Sequence, residues 1–218
     1  MNPPRTIGDG QPRQPTFTAR QILDSIKGAG LVTFEGETPY DLNICGIRTL
    51  PGQADLFDDW LAVVYRDENL VWNCQSWRVT TCPGLPALRN PSRSDGVAVM
   101  VAPQQARCAY IRDLHRGKYL ALCNRIKPVK VWRDNDRDDL IDPDPKVIYD
   151  AWGINIHRAR ANGTTPKVGP YSEGCTVFAN EDDFDRFMDL TEKQIEYHPT
   201  WTKFSYTLLT SDHIVPRS

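Results

Sequence analysis

Two residues of the segment Gly153–Asn180 have the types and spacing for nucleophilic catalysis, His157 and Cys175. Gly153-Ile154-Asn155-Ile156-His157 alternates like a strand and ends on the histidine. A polar loop follows, and then Ser172-Glu173-Gly174-Cys175. A histidine at a strand end and a cysteine after a glycine turn can meet across such a loop. A free thiol is only slightly ionised at neutral pH, so a neighbouring imidazole is needed to take its proton and later pass it to a leaving amine. Gly174 can adopt a positive φ and lets the backbone approach a substrate closely. Amide N–H groups at Cys175 and its neighbours would then face a developing oxyanion. Tyr171, four residues before Cys175, is placed to donate to that oxyanion or to orient a substrate. The plain alternative is a buried, inert thiol.

The elements that must carry these residues read as mainly β. Short apolar, β-branched runs alternate with turn residues over 40–49, 60–67, 70–81, 96–103, 107–114, 118–126 and 129–134. Asp67-Glu68-Asn69 and Arg116-Gly117-Lys118 are tight connections between runs. Many short strands with turns between them point to a β-sandwich or barrel within an α+β fold, not to a parallel α/β sheet. Two-fold alternation is clean only in places, so the strand order stays open. A short helix over 18–28 is capped by Thr18, with Gln21 three residues on, and stopped by Gly28 and Gly30. A longer C-terminal helix spans 181–198, with Phe184, Phe187, Met188, Thr191 and Ile195 at helical spacing and acids in its first turn. A last strand covers 203–210. Residues 1–17, rich in Pro, Gly and Arg, read as a flexible arm, and 18–218 as one β-rich catalytic domain.

Other chemistry-bearing residues are weighed the same way. Asp134, Asp136 and Asp138 alternate like the start of a calcium loop. Asp139 stands where the turn glycine belongs and Pro145 where the bidentate glutamate belongs, which excludes an EF-hand. What remains is a simpler aspartate-rich loop for a structural calcium, or a solvated acidic connection. No cofactor is required by the cysteine chemistry. His115, His198 and His213 lack carboxylate or histidine partners at ligand spacing. The six tryptophans read as core or sheet packing, except Trp152, five residues before His157. Cys45, Cys108 and Cys123 sit among apolar residues and read as buried small hydrophobes. The six cysteines show no CxxC spacing, so a zinc knuckle is not expected.

Composition bounds the partners. The net charge is −2 with a pI near 6.1, against the basic surplus of a nucleic-acid binder. No apolar run is long enough to insert in a membrane, and the N-terminus lacks the apolar core of a secretory signal. The expected placement is the cytosol, or export by something other than a signal of its own.

The His157 segment and Ser172-x-Gly174-Cys175 resemble the signature of the L,D-transpeptidase (YkuD-type) catalytic domain. That resemblance implies a β-rich fold in which Cys175 is the nucleophile and His157 the base. The substrates would be peptidoglycan stem peptides. Ser172 and Gly174 match the motif's serine and glycine, and with Tyr171 and Arg158 they are the expected oxyanion and substrate residues. The chain departs from the pattern at Glu173, where the family commonly has histidine, at Thr176-Val177-Phe178 after the cysteine, and at Arg158 after the histidine. Arg158 or Arg160 would hold a stem-peptide carboxylate. The wider chain, over 40–210, also resembles uncharacterised proteins of tailed bacteriophages, through Asp41-Leu42-Asn43-Ile44, His115-Arg116-Gly117-Lys118-Tyr119, Pro128-Val129-Lys130-Val131 and Gly153–Arg158. The expectation is an endolysin-like hydrolase of the stem peptide or cross-bridge, acting through a thioester. The alternatives are an L,D-transpeptidase and a non-enzymatic virion or wall-binding β-domain.

Overall fold

A computed structural model describes residues 16–216. The expected mainly β architecture is present: eight strands close a barrel in the order β1-β11-β5-β6-β9-β10-β3-β2, beside a three-stranded sheet β4-β7-β8. The barrel strands are β1 (Asn43–Arg48), β2 (Asp59–Arg66), β3 (Trp72–Thr80), β5 (Gln104–His115), β6 (Tyr119–Asn124), β9 (Ile156–Arg158), β10 (Thr176–Phe178) and β11 (Phe204–Thr210). The small sheet is β4 (Val97–Met100), β7 (Val129–Asp134) and β8 (Tyr149–Ala151). The helices are α1 (Ala19–Gly28), α2 (Leu85–Arg89) and α3 (Glu181–Tyr197). Among the described residues no helix is long and apolar enough to cross a membrane.

Local chemistry sets the helix ends. Thr18 Oγ1 accepts the Gln21 N–H at 3.1 Å and Asn180 Oδ1 accepts the Asp183 N–H at 3.0 Å. The apolar face of α1 lies on the outside of the barrel, where Ile22, Leu23 and Ile26 meet Cys45, Ala62 and Val64. Phe184, Phe187 and Met188 of α3 join the interior cluster with Trp77 and Phe178. Strand β1 is therefore buried on both faces, which erases the alternation a half-buried strand would show. Most of the expected arm lies outside the described residues, but Phe17 packs edge-on against Trp60 at 6.5 Å and belongs to the folded domain.

The parallel pair β9–β10 positions the site. Its register sets Thr176 opposite Ile156, Val177 opposite His157 and Phe178 opposite Arg158. Ile156 and Phe178 point into the core cluster. Successive side chains alternate in a strand, so His157 and Val177 face outward, and Cys175, two residues before Val177, continues that face. The small sheet closes over it. Gly174 has φ +111°, and a Cβ there would lie 2.2 Å from the Ala98 carbonyl oxygen of β4. Gly84, before α2, donates its N–H to the Ser172 carbonyl at 3.0 Å and braces the loop from the other side.

Candidate active site

His157, Cys175 and Asn155 line one open cleft of about 510 Å³ between the barrel wall and the small sheet. The strand expected over 153–157 begins only at Ile156. Gly153, at φ +77°, turns the chain out of register, and Gly153–Asn155 become the cleft wall instead. Their backbone groups are completed by the cysteine itself. The Cys175 thiol donates to the Gly153 carbonyl at 3.6 Å and accepts the Asn155 N–H at 3.3 Å. Among the described residues, these are the hydrogen bonds of Cys175 Sγ, and none runs directly to His157. Cys175 immediately precedes β10 and lies two residues before Val177, the residue opposite His157, so the two side chains are diagonal neighbours on one face.

His157 is 4 % exposed, with Nδ1 2.8 Å from the Arg158 carbonyl oxygen. A carbonyl only accepts, so Nδ1 carries the proton and Nε2 is the free basic nitrogen. Sequence reasoning missed its neighbour. His115, on β5, stacks on the His157 ring with centroids 4.1 Å apart and planes 20° from parallel. No local spacing announces this pair, because 41 residues and two strand crossings separate its members. Asn155 fixes His115 in turn. Its Oδ1 accepts the Asn124 N–H at 2.9 Å, so its amide nitrogen faces His115 Nδ1 at 3.2 Å and donates to it. Asn155 thus holds the sulfur with its backbone and the second histidine with its side chain.

Burial makes the resting site neutral. It pushes the Cys175 thiol up to about 11, against the smaller opposing pull of the Asn155 N–H and the Arg116 charge. It brings His157 down to about 3, helped by the His115 ring, and His115 down to about 4, helped by Arg116 and Arg125. Both histidines titrate in the fold below their ordinary value of 6.5. The unfolded chain therefore binds protons that the native one refuses, and stability falls as pH drops from about 6.5 toward about 4. Each histidine should cost about 2 kcal/mol between pH 7 and 5. Urea unfolding of His115→Phe should show a pH-dependent loss smaller by that amount, and an unchanged loss would refute the neutral assignment.

The expected substrate residues divide. Ser172 is 1 % exposed, and its hydroxyl donates to the Cys175 carbonyl at 3.0 Å and accepts the Gly174 N–H at 3.2 Å. Ser172 and Gly174 therefore shape the nucleophile loop, and neither is a wall for substrate. Tyr171 lies on the rim of the cleft, as does Trp152, which is 59 % exposed. Arg158 is turned away. Its guanidinium pairs with Glu181 and lies 4.4 Å over the Tyr119 ring, outside this cleft but in the adjoining groove that His157 also lines. Arg160 is exposed on a neighbouring groove. Arginines unforeseen from sequence face the cleft instead, among them Arg116, Arg125 and Arg133.

The acidic loop is also rearranged. The carboxylates that converge within 4.8 Å are Asp134, Asp136 and Asp142. Asp138 is not among them; its Oδ1 accepts the Leu140 N–H at 2.7 Å in a local turn. Three carboxylates bound through one oxygen each would leave calcium, which takes six to eight oxygen ligands, to be completed by second carboxylate oxygens, main-chain carbonyls or water. Of the cysteines read as buried, Cys45 and Cys123 are, whereas Cys108 is half-buried at a β5 irregularity with φ +52°. All six are free thiols. Compared with family models, curated proteins and solved structures, the chain finds no match in any of the three.

Proposed function

We propose that the chain is a cysteine-dependent hydrolase of peptidoglycan stem peptides or cross-bridges, of the endolysin kind. One observation carries this reading: a thiol and an imidazole with its free nitrogen on Nε2 line one open cleft, the thiol immediately before the strand that pairs in parallel with that of the imidazole. The likeness of Ser172-x-Gly174-Cys175 and His157 to L,D-transpeptidases supplies the substrate class. In the first half-reaction His157 Nε2 takes the thiol proton as sulfur bonds to the carbonyl carbon, and the carbonyl π pair moves to oxygen. Because the resting pair is neutral, proton transfer accompanies attack and does not precede it. The Cys175 amide is the fitting donor to the oxyanion, since Ser172 already occupies that of Gly174. Collapse breaks the C–N bond, and the amine leaves with the proton from His157. Water then attacks the thioester, with His157 taking its proton and returning it to sulfur. An amine in place of water would make the same enzyme a transpeptidase. Calcium on Asp134, Asp136 and Asp142 would brace the β7–β8 connection and takes no part in these steps.

One observation favours a second reading, a non-enzymatic wall-binding or virion β-domain. The thiol is tied to Gly153 and Asn155, away from the imidazole. Digestion of purified peptidoglycan with mass spectrometry of the products separates the two. New amino and carboxyl termini at one stem or bridge bond support the hydrolase. Binding to the wall without soluble fragments supports the second reading.

A further inference from the structure

Arg158, one of the two residues expected to hold a carboxylate, is committed to Glu181. The cleft nonetheless keeps an uncommitted cation. Arg93 is paired with Asp95, Arg125 with Asp113 at 3.1 Å, and Arg133 with Asp95 at 3.9 Å. Arg116 makes no ion pair among the described residues, lies exposed, and lines both the nucleophile cleft and the adjoining groove with His157.

Its backbone is also unusual. Arg116 and Gly117 are the central residues of the β5–β6 hairpin, with φ +50° and +70°. Such a turn needs positive φ at both places and favours Asn, Asp or Gly at the first. An arginine there is conformationally strained and gains nothing for the turn. What the position does offer is reach. It follows His115 directly, and its charge is felt at His115, His157 and Cys175 alike.

We propose that Arg116 binds a carboxylate of the ligand beside Cys175, so that the site takes peptides with a free carboxylate near the scissile carbonyl. The substrate half of this inference rests on the nucleophile reading above. The anion-binding half does not. A guanidinium offers two parallel N–H donors to one carboxylate, and in a cleft with low-dielectric walls its attraction is stronger than on an open surface.

Iodoacetate and iodoacetamide test it, since they alkylate the same thiol and differ in charge. Peptide mapping gives each rate at Cys175 in the wild type, Arg116→Gln and Arg107→Gln, which remove equal charge, Arg107 being exposed on β5 and lining neither the cleft nor the groove. The ratio of iodoacetate to iodoacetamide rates should fall about fivefold or more in Arg116→Gln and stay unchanged in Arg107→Gln. Raising salt should erase the wild-type advantage. Equal ratios in the two variants would overturn the proposal. A second measurement needs no reactive thiol. In Cys175→Ser, N-acetylalanine should move the His115 and His157 ring signals in NMR, its amide should not, and Arg116→Gln should abolish the response. No response to the carboxylate, or the same response to the amide, overturns the proposal as well. A Cys175 no more reactive than the other thiols counts against the hydrolase, while the NMR titration still decides Arg116.

Discussion

Cys175→Ala is expected to stop release of soluble muropeptides, by a factor on the order of 10⁴ or more, because the acyl-enzyme forms on its sulfur. The fold should survive the change. The side chain is half-buried and small, and the Gly153 carbonyl and Asn155 N–H that lose the sulfur border an open cleft where water can replace it. Thermal unfolding within a few degrees of the wild type would establish that. Cys45→Ala is the matched control, since Cys45 lies fully buried under α1, away from the cleft. It should retain activity and lose some stability. Undiminished release by Cys175→Ala, or equal loss in Cys45→Ala, would remove the cysteine from the mechanism. Alkylation adds a signature of the neutral pair. The Cys175 rate should climb steadily toward pH 11 with no plateau at low pH, because an ion pair formed beforehand would hold the thiolate ready in acid.

The sequence speaks clearly where one face of an element decides its pattern. The stripe of Phe184, Phe187 and Met188 identifies α3, and Thr18 with Gln21 identifies the start of α1. The runs that became β2, β3, β5 and β6 are long enough to read as strands despite mixed burial. The strands β8 and β10 have three residues each, too few for a period, and α2 is a single turn and a half behind Gly84 and a proline. Closure of the barrel through two parallel pairs, β1–β11 and β9–β10, is a long-range event with no local signature.

The same division runs through the site. His157 and the Ser172–Cys175 loop were legible because the chemistry lies in residue type and short spacing. Ser172 and Gly174 were legible as motif and misread as substrate contacts, because only the fold shows that β4 presses on Gly174 and that Ser172 is sealed beneath it. The pairing of Arg158 with Glu181 has no local signal, because Glu181 arrives from the next helix. Arg116 looked like a turn residue. His115 looked isolated because its partner is a ring across the sheet and not a ligand at helical spacing.

That ring makes Asn155 the most informative position after the nucleophile. In Asn155→Asp the backbone N–H to Cys175 and the acceptor for Asn124 are retained, but the donor facing His115 Nδ1 becomes a carboxylate oxygen. Two acceptors then face each other at about hydrogen-bond distance, and a second proton on His115 relieves the conflict. An opposite charge at that range raises a histidine's pKa by roughly 1–3 units. His115 starts at about 4, so it should charge within the mildly acidic range. The charged ring would lie stacked 4.1 Å from the base that must itself become cationic as the thiol attacks. Each stage of the attack that places a proton on His157 would then place two cations face to face. Activity at pH 6 should fall by about 10²–10³ and recover in part as rising pH discharges His115. The variant should thus acquire an acid limb, rising with pH, in a region where the wild type is flat. His115→Phe keeps the stack and cannot charge, so the double variant His115→Phe/Asn155→Asp should lose the limb again. A uniform drop with the wild-type pH profile would mean that Asn155 serves only to hold the cleft wall, and that the stacked histidine lies outside the proton's path.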